Sequence, residues 1–181
     1  MTLNIIAMCT HNRTRSVLMG ALLGKHLAEL GVDHRISTAG MSGDDLPATE
    51  STVRLLGQRG LDASSHRSSF ISDETMAVAD LVVTAEVQHV VFVAGRWQGS
   101  FARTFTLPEL VQRAEAVGRR RRMPLVEWLA QVSEGRAEGF DYMSDPGVLQ
   151  VADPTGQSPL VWRASFDEID LLTRRLAIVL V

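Results

Sequence analysis

The stretch LNIIAMCTHNRTRS, residues Leu3–Ser16, decides the fold of this chain. It opens with a short apolar run, Leu3–Met8, which has the length and composition of a buried strand. A polar loop follows, and Val17–Leu30 then carries apolar residues at helical spacing, which predicts a helix that Gly31 ends. Open α/β sheets bind their ligands where a strand ends and the next helix begins. This loop is therefore the first place to look for a site.

The rest of the chain alternates between strand and helix patterns. Further strands are predicted at 35–38, 80–84 and 103–107, and helices at 48–59, 71–79, 86–94, 108–117 and 165–181. This alternation indicates an α/β protein with a parallel sheet, and the length of 181 residues is that of one domain. We expect a single domain over residues 1–181, in which 118–150 is an insertion-like segment that contains the basic run Arg119–Arg122.

The composition narrows the range of functions. A net charge of −3 argues against a generally basic protein that binds nucleic acid. No signal peptide is visible and no apolar run is long enough to cross a bilayer, so we expect a cytoplasmic protein with no membrane partner. Cys9 is the single cysteine, which excludes an internal disulfide and a multi-cysteine zinc site, and no metal or cofactor is expected. Arginine far outnumbers lysine, as high-GC coding produces, which indicates a bacterial source.

Cys9 and Arg15 stand at the two ends of the loop in the pattern C-x5-R. A loop that wraps into a helix N-terminus directs several backbone N–H groups at one point, which binds phosphate-like dianions. Loop amides, a helix N-terminus and a nearby guanidinium all favour the thiolate, which is the nucleophilic form of cysteine. Arg15 offers a planar fork to two phosphoryl oxygens, and Ser16 can donate a hydrogen bond to the thiolate. The spacing therefore predicts a phosphate-binding loop with a cysteine nucleophile.

This stretch resembles the signature of the low-molecular-weight protein tyrosine phosphatases, an apolar strand followed by C-x-x-N-x-x-R-S. Cys9, Asn12, Arg15 and Ser16 match that signature. Looser matches along the chain are Thr38-Ala39-Gly40, His66-Arg67, 80–84 and Asp153-Pro154. The resemblance implies a three-layer α/β/α fold with a four-stranded parallel sheet and a metal-independent hydrolase of the protein tyrosine phosphatase class.

The resemblance also implies roles for individual residues. The loop residues that would bind the phosphate group are Thr10, His11, Asn12, Arg13, Thr14 and Ser16. Asn12 would adopt a left-handed conformation, which Asn tolerates better than most residues, with its side chain held by a network including Thr38 and His66. His66 could instead be an ordinary loop histidine. Arg13 departs from the family pattern and is either a surface residue or a positive charge at the mouth that favours a more anionic substrate.

A carboxylic acid should protonate the leaving oxygen and then activate water. Two Asp-Pro pairs compete for this role, Asp145-Pro146 and Asp153-Pro154, and the proline restricts each Asp to extended conformations. Asp153 is better placed because it precedes the last predicted helix at the family's spacing. Asp145 is the second candidate, and a simple Asx-Pro turn is the third interpretation.

These residues predict a phosphatase that hydrolyses phosphomonoesters, first of all protein phosphotyrosine, through a phosphocysteine. The family's aromatic residues after Asp-Pro are replaced here by Thr155-Gly156, and only Trp162 or Tyr142 could cover the site instead. A phosphoarginine or small-molecule phosphatase therefore stays open. An arsenate reductase is also open if an external small thiol supplies the electrons, as is a phospho-binding module without turnover. The oligomeric state is not predicted.

Overall fold

The computed structural model describes residues 2–181 and contains one parallel sheet. In chain order its elements are β1 (Leu3–Cys9), α1 (Arg15–Glu29), β2 (His34–Gly40), α2 (Glu50–Gly57), α3 (Asp73–Val78), β3 (Leu81–Thr84), α4 (Val87–Arg96), β4 (Thr104–Thr106), α5 (Leu107–Val117), α6 (Leu125–Ser133), α7 (Gly139–Ser144) and α8 (Pro159–Val179). The strands lie in the order β2-β1-β3-β4 and all pairs are parallel. The predicted four-stranded parallel sheet is confirmed.

The side chains of β1 alternate between two buried faces of the sheet. Ile5 and Ala7 pack into the core with α1, α5 and α8, whereas Ile6 and Met8 pack with α3 and α4 on the opposite face. A strand covered on both faces has no polar side, which is why Leu3–Met8 is a continuous apolar run. The predicted three-layer α/β/α architecture is confirmed.

The last helix begins six residues earlier than its pattern suggests. Ser158 is the N-cap, and its hydroxyl accepts a hydrogen bond from the main-chain N–H of Val161 at 3.4 Å. Pro159 occupies the first turn, where its missing N–H costs nothing. The prediction placed this start at Ser165 because the exposed residues of the first turns hide the helical periodicity.

The segment predicted as an insertion, 118–150, forms α6 and α7 and packs onto the core. Arg136 is its main anchor, since its guanidinium binds both carboxylate oxygens of Glu109 at 2.8 and 3.2 Å and two main-chain carbonyls. The Tyr142 hydroxyl donates to the same carboxylate at 2.7 Å. Within the arginine run, Arg120 donates to the carbonyl of Leu180 at the end of α8. None of the helices in residues 2–181 has the length and apolar character needed to span a bilayer.

Candidate active site

The loop between β1 and α1 is held so that its N–H groups converge. The carbonyl oxygens of Cys9, Thr10, Asn12 and Arg13 accept hydrogen bonds from groups outside the loop. In a trans peptide the N–H group points opposite to the carbonyl. The N–H groups that follow these four carbonyls are therefore directed towards the inside of the loop, where they suit an anion.

Cys9 stands where β1 ends and the loop begins. It is the last residue of β1, it is buried, and its Sγ lies 3.1 Å from Ser16 Oγ. The end of β2 approaches the loop closely: a Cβ atom at Gly40 would lie 2.7 Å from the carbonyl oxygen of Thr10. A side chain at Gly40 would push the loop out of shape.

Asn12 shapes the loop from within. Its φ of 51° is left-handed, as the resemblance implied. The side chain is fully buried; it donates to Ser16 Oγ and accepts from the main-chain N–H of Ser69, both at 3.0 Å. His66 is placed at the loop as expected, but its Nε2 contacts the main-chain oxygen of Asn12 at 2.6 Å rather than the side chain.

The expected role of Thr38 in this network is wrong. Its methyl group faces α1, where a Cβ atom at Gly20 would lie only 2.7 Å from it. Among the described residues, the side-chain partners of Asn12 are Ser16 and Ser69. Because side chains alternate along β2, Thr38 is turned towards the helix layer and away from the loop. The main chain of Ser69 takes the place that was expected for Thr38.

The guanidinium of Arg15 is clamped from two sides. Nη1 lies 2.8 Å from Glu86 Oε1 and donates to the carbonyl of Val151 at 3.1 Å, while Nη2 donates to Asp153 Oδ2 at 2.9 Å. The side chain is only 3% exposed, and its buried Nε atom has no hydrogen-bond partner in the described part of the chain. A buried donor without a partner is costly, so Nε is a natural position for an oxygen of a bound anion.

Glu86 was missed by sequence reasoning. It lies two residues after β3 at the carboxyl edge of the sheet, and an acidic residue at that point is the signal that could have found it. Burial raises the pKa of Glu86, but the hydrogen bond and charge of Arg15 outweigh this and place the pKa below its ordinary value. Glu86 is therefore a carboxylate that orients the guanidinium.

Asp153, and not Asp145, reaches the site. Besides Arg15, the Asp153 carboxylate binds the main-chain N–H of Thr155 at 2.9 Å. Burial raises the pKa of Asp153, but the hydrogen bonds from Thr155 and the charge of Arg15 have the larger, opposite effect, so the pKa lies below its ordinary value. Asp145 ends α7, where its carboxylate accepts from the N–H of Gly147 at 2.7 Å, which is an Asx turn.

The side chains of the remaining predicted loop residues contact neighbouring segments of the chain. His11 is exposed and its Nδ1 lies 2.8 Å from Ser42 Oγ, whereas Arg13 donates from Nε to the carbonyl of Pro47 at 2.8 Å. Thr14 is buried, 3.3 Å from Thr49 Oγ1.

Both candidate aromatic residues are buried. Trp162 packs into the core from α8, and the Tyr142 hydroxyl is held by Glu109. Residues 2–181 contain no cluster of three or more His, Cys, Asp or Glu side chains that could hold a metal ion.

A family model described as low molecular weight phosphotyrosine protein phosphatase matches residues 4–117. The chain belongs to this family. The match covers the loop Cys9–Ser16, Glu86 and all of the sheet except Leu3, so the predicted family is confirmed and the protein is a phosphatase. Asp153 lies outside the matched residues, in the part of the chain that follows α5.

Three individual relatives extend the similarity over nearly the whole chain. A protein-arginine-phosphatase of Bacillus subtilis (strain 168) is 26% identical over 176 residues, which cover 97% of this chain and 95% of that protein. The structure of YwlE arginine phosphatase from Geobacillus stearothermophilus superposes with a TM-score of 0.68 at 25% identity, covering 97% and 90% of the two chains. A mutant YwlE arginine phosphatase with a phosphorylated active site serine gives a TM-score of 0.71 at 25% identity, covering 97% and 93%.

Proposed function

We propose that this protein is a metal-independent, cytoplasmic protein phosphatase that works through a phosphocysteine intermediate. Cys9 is the nucleophile, Arg15 and the loop N–H groups bind the phosphoryl group, and Asp153 is the general acid and base. One observation carries the proposal: the Asp153 carboxylate, 138 residues away in the chain, meets the Arg15 guanidinium beside the loop that holds Cys9. The phosphorylated active site serine of the YwlE mutant supports a covalent intermediate.

In the first step the Cys9 thiolate attacks phosphorus. An S–P bond forms, the bond from phosphorus to the leaving atom breaks, and the Asp153 carboxyl gives its proton to that atom. A phosphoryl dianion would compete with Asp153 for the Arg15 guanidinium. Its negative charge raises the pKa of the carboxyl, which favours the protonated form that this step needs.

In the second step the phosphocysteine is hydrolysed. The Asp153 carboxylate takes a proton from a water molecule, the water oxygen attacks phosphorus, and the S–P bond breaks. The Ser16 hydroxyl, 3.1 Å from Sγ, donates to the thiolate as it leaves. Inorganic phosphate is released, and Cys9 and Asp153 return to their starting protonation states.

As substrate we propose protein phosphoarginine rather than the phosphotyrosine that the sequence favours. Tyr142 and Trp162 are only 1% and 8% exposed, so neither presents a ring face on which a phenol ring could stack. Asp153, whose side chain is 43% exposed beside Arg15, becomes a carboxylate when it gives up its proton and then suits the cationic guanidinium that leaves. The relatives at 25–26% identity named above are arginine phosphatases, which supports the same choice.

The test compares one peptide sequence carrying either phosphoarginine or phosphotyrosine, with a chelator present throughout. We expect kcat/KM for phosphoarginine to be at least about tenfold higher, because an ion pair between Asp153 and the departing guanidinium contributes a difference of that order. The Cys9→Ser variant, checked for folding by thermal melting, should be inactive on both peptides.

Each other outcome points to a different conclusion. Faster cleavage of phosphotyrosine would overturn the substrate, and activity that survives Cys9→Ser or requires metal would overturn the mechanism. Phosphate binding without turnover would leave a phospho-binding module. Arsenate reduction with a small external thiol, faster than any phosphate release, would identify an arsenate reductase.

A further inference from the structure

His89 is a buried titratable side chain of the site that the proposed mechanism leaves without a role. It lies in the first turn of α4 and is fully buried. Its ring contacts two groups: Nδ1 lies 3.0 Å from the main-chain N–H of Glu86, and Nε2 lies 3.0 Å from Thr10 Oγ1. Thr10 is the loop residue that directly follows the nucleophile Cys9. The ring therefore links α4 to the phosphate loop.

The contact with Glu86 determines where the proton of His89 sits. A main-chain N–H can only donate, so Nδ1 must be the acceptor and carries no proton. The proton of the neutral ring is then on Nε2, which donates to Thr10 Oγ1. Burial lowers the pKa of His89 to about 4 against the opposing effect of the Glu86 carboxylate, which keeps the ring neutral at ordinary pH.

The direction of the Thr10 hydroxyl follows from this donation. Because Oγ1 accepts from His89, its own proton must point to a different acceptor. In the described part of the chain, His89 is the one hydrogen-bond partner of this hydroxyl. The hydroxyl is therefore a donor with a free proton, one residue from the nucleophile.

The Thr10–His89 pair lies on the same side of the loop as the Arg15 guanidinium. Glu86 connects them, since one of its carboxylate oxygens lies 2.8 Å from Arg15 and the other 3.6 Å from His89 Nε2. The unpartnered Nε of Arg15 marks this side as the place for an anion. A hydroxyl donor on that side has a phosphoryl oxygen as its natural acceptor.

We propose that His89 is a positioning residue that holds the Thr10 hydroxyl as a hydrogen-bond donor to a non-bridging oxygen of the bound phosphoryl group. The proposal rests on the proposed function and deepens it, because it assigns one more donor to the phosphate site. A donor that is oriented before the anion arrives requires no reorganisation on binding or in the transition state.

A double-mutant cycle with inorganic phosphate as the probe tests the proposal. Phosphate affinity is measured by protection of Cys9 from alkylation, so turnover is not needed. Thr10→Val and His89→Leu should each weaken phosphate binding about tenfold, the effect of one lost hydrogen bond to a charged group. The double variant should be no weaker than either single one, because His89 acts through Thr10. His89→Gln keeps an N–H donor near the position of Nε2 and should bind phosphate almost as well as the wild type.

The matched control is His26→Leu, which also removes a buried, hydrogen-bonded histidine. His26 lies in the last turn of α1 and contacts Asp170 at 2.8 Å, far from the loop. This variant should melt at a lower temperature with unchanged phosphate affinity. Additive losses in the cycle, or equal losses in His89→Leu and His89→Gln, would overturn the positioning role while leaving the phosphatase function intact. A wild type that does not bind phosphate would instead overturn the function of the loop itself.

Discussion

The two halves of the candidate site are built in different ways. The phosphate loop, Cys9–Ser16, is one continuous stretch whose shape is set by its own main chain and by the left-handed Asn12. The acid loop, residues 149–155, comes from the far end of the chain. Its Val151 contacts Arg15 through the main-chain oxygen, and its Asp153 contacts Arg15 through the side chain. Arg15 is the residue that belongs to both halves.

This difference shows where each half is vulnerable. The phosphate loop receives hydrogen bonds from the residues that follow β2, from the start of α2 and from the loop before α3, so its geometry should survive most changes elsewhere. The acid loop depends on few contacts: the N–H of Val151 donates to Ala85 at 2.8 Å, and Thr106 Oγ1 donates to the carbonyl of Leu149 at 2.6 Å. We therefore expect the phosphate loop to lose activity when the Cys9 sulfur is chemically modified. We expect the acid loop to lose activity when one of its side chains or hydrogen bonds is removed.

Oxidation should have the largest effect on activity. Cys9 has no second cysteine to trap it as a disulfide, so we expect peroxide to abolish phosphatase activity completely. An external thiol should restore activity while the sulfur is still at the sulfenate stage. The measurement is residual kcat/KM after peroxide, with and without later thiol, and inorganic phosphate should protect. Activity that resists peroxide would contradict Cys9 as the catalytic thiolate.

Removing the acid should have the next largest effect. Asp153→Asn is expected to lower kcat/KM on a phosphopeptide by roughly 100- to 10,000-fold, the usual contribution of a general acid. The loss should be smaller with 4-nitrophenyl phosphate, whose leaving group needs no proton. Asp145→Asn is the matched control, since that residue sits in an Asx turn at the end of α7. A larger loss in Asp145→Asn than in Asp153→Asn would reverse the assignment.

The sequence predicts the phosphate loop far better than the acid half of the site. Cys9, Arg15 and Ser16 are close in sequence, and one strand-loop-helix pattern is enough to bring them together. Asp153 could be chosen over Asp145 only through its spacing to the last helix. The Thr38 prediction failed for a related reason. The short stretch around Thr38 does not indicate which face of the sheet carries its side chain, because that depends on how the helices pack.

Removing the charge of Glu86, which pairs with Arg15, should have a moderate effect on activity and a pH-dependent effect on stability. The pKa of Glu86 is lowered on folding, so its contribution to stability is present above its ordinary value of 4.5 and is lost as pH falls through the lower folded value. At neutral pH, Glu86→Gln should reduce the free energy of unfolding by about 1–2 kcal/mol and kcat/KM about tenfold. Urea unfolding should show the stability difference vanish in acid.

The control for this clamp is Glu127→Gln, which changes an exposed glutamate on α6. It should alter neither stability nor activity by a measurable amount. A Glu86→Gln penalty that persists unchanged in acid would show that the glutamate acts through packing and not through its charge. That result would remove the electrostatic basis for the orientation of Arg15.

The smallest effect on activity is expected from a substitution where the segment 118–150 packs onto the core. The Tyr142 hydroxyl donates to Glu109 at 2.7 Å, and Arg136 binds the same carboxylate. Tyr142→Phe should cost about 1–2 kcal/mol of unfolding free energy, the usual loss for a buried hydrogen bond to a charged group. This corresponds to a melting temperature lower by roughly 2–8 °C in a domain of this size.

The activity of the Tyr142→Phe variant distinguishes two roles for the segment 118–150. If α7 only completes the core, kcat/KM of Tyr142→Phe should stay within about twofold of the wild type, because the ring still packs against Phe101 at a centroid distance of 5.2 Å. If α7 also sets the position of the acid loop, kcat/KM should fall together with stability, and the loss should disappear in an Asp153→Asn background. We expect the first result, because Leu149 and Val151 are tied to β4 and β3 by their own main-chain groups rather than through α7.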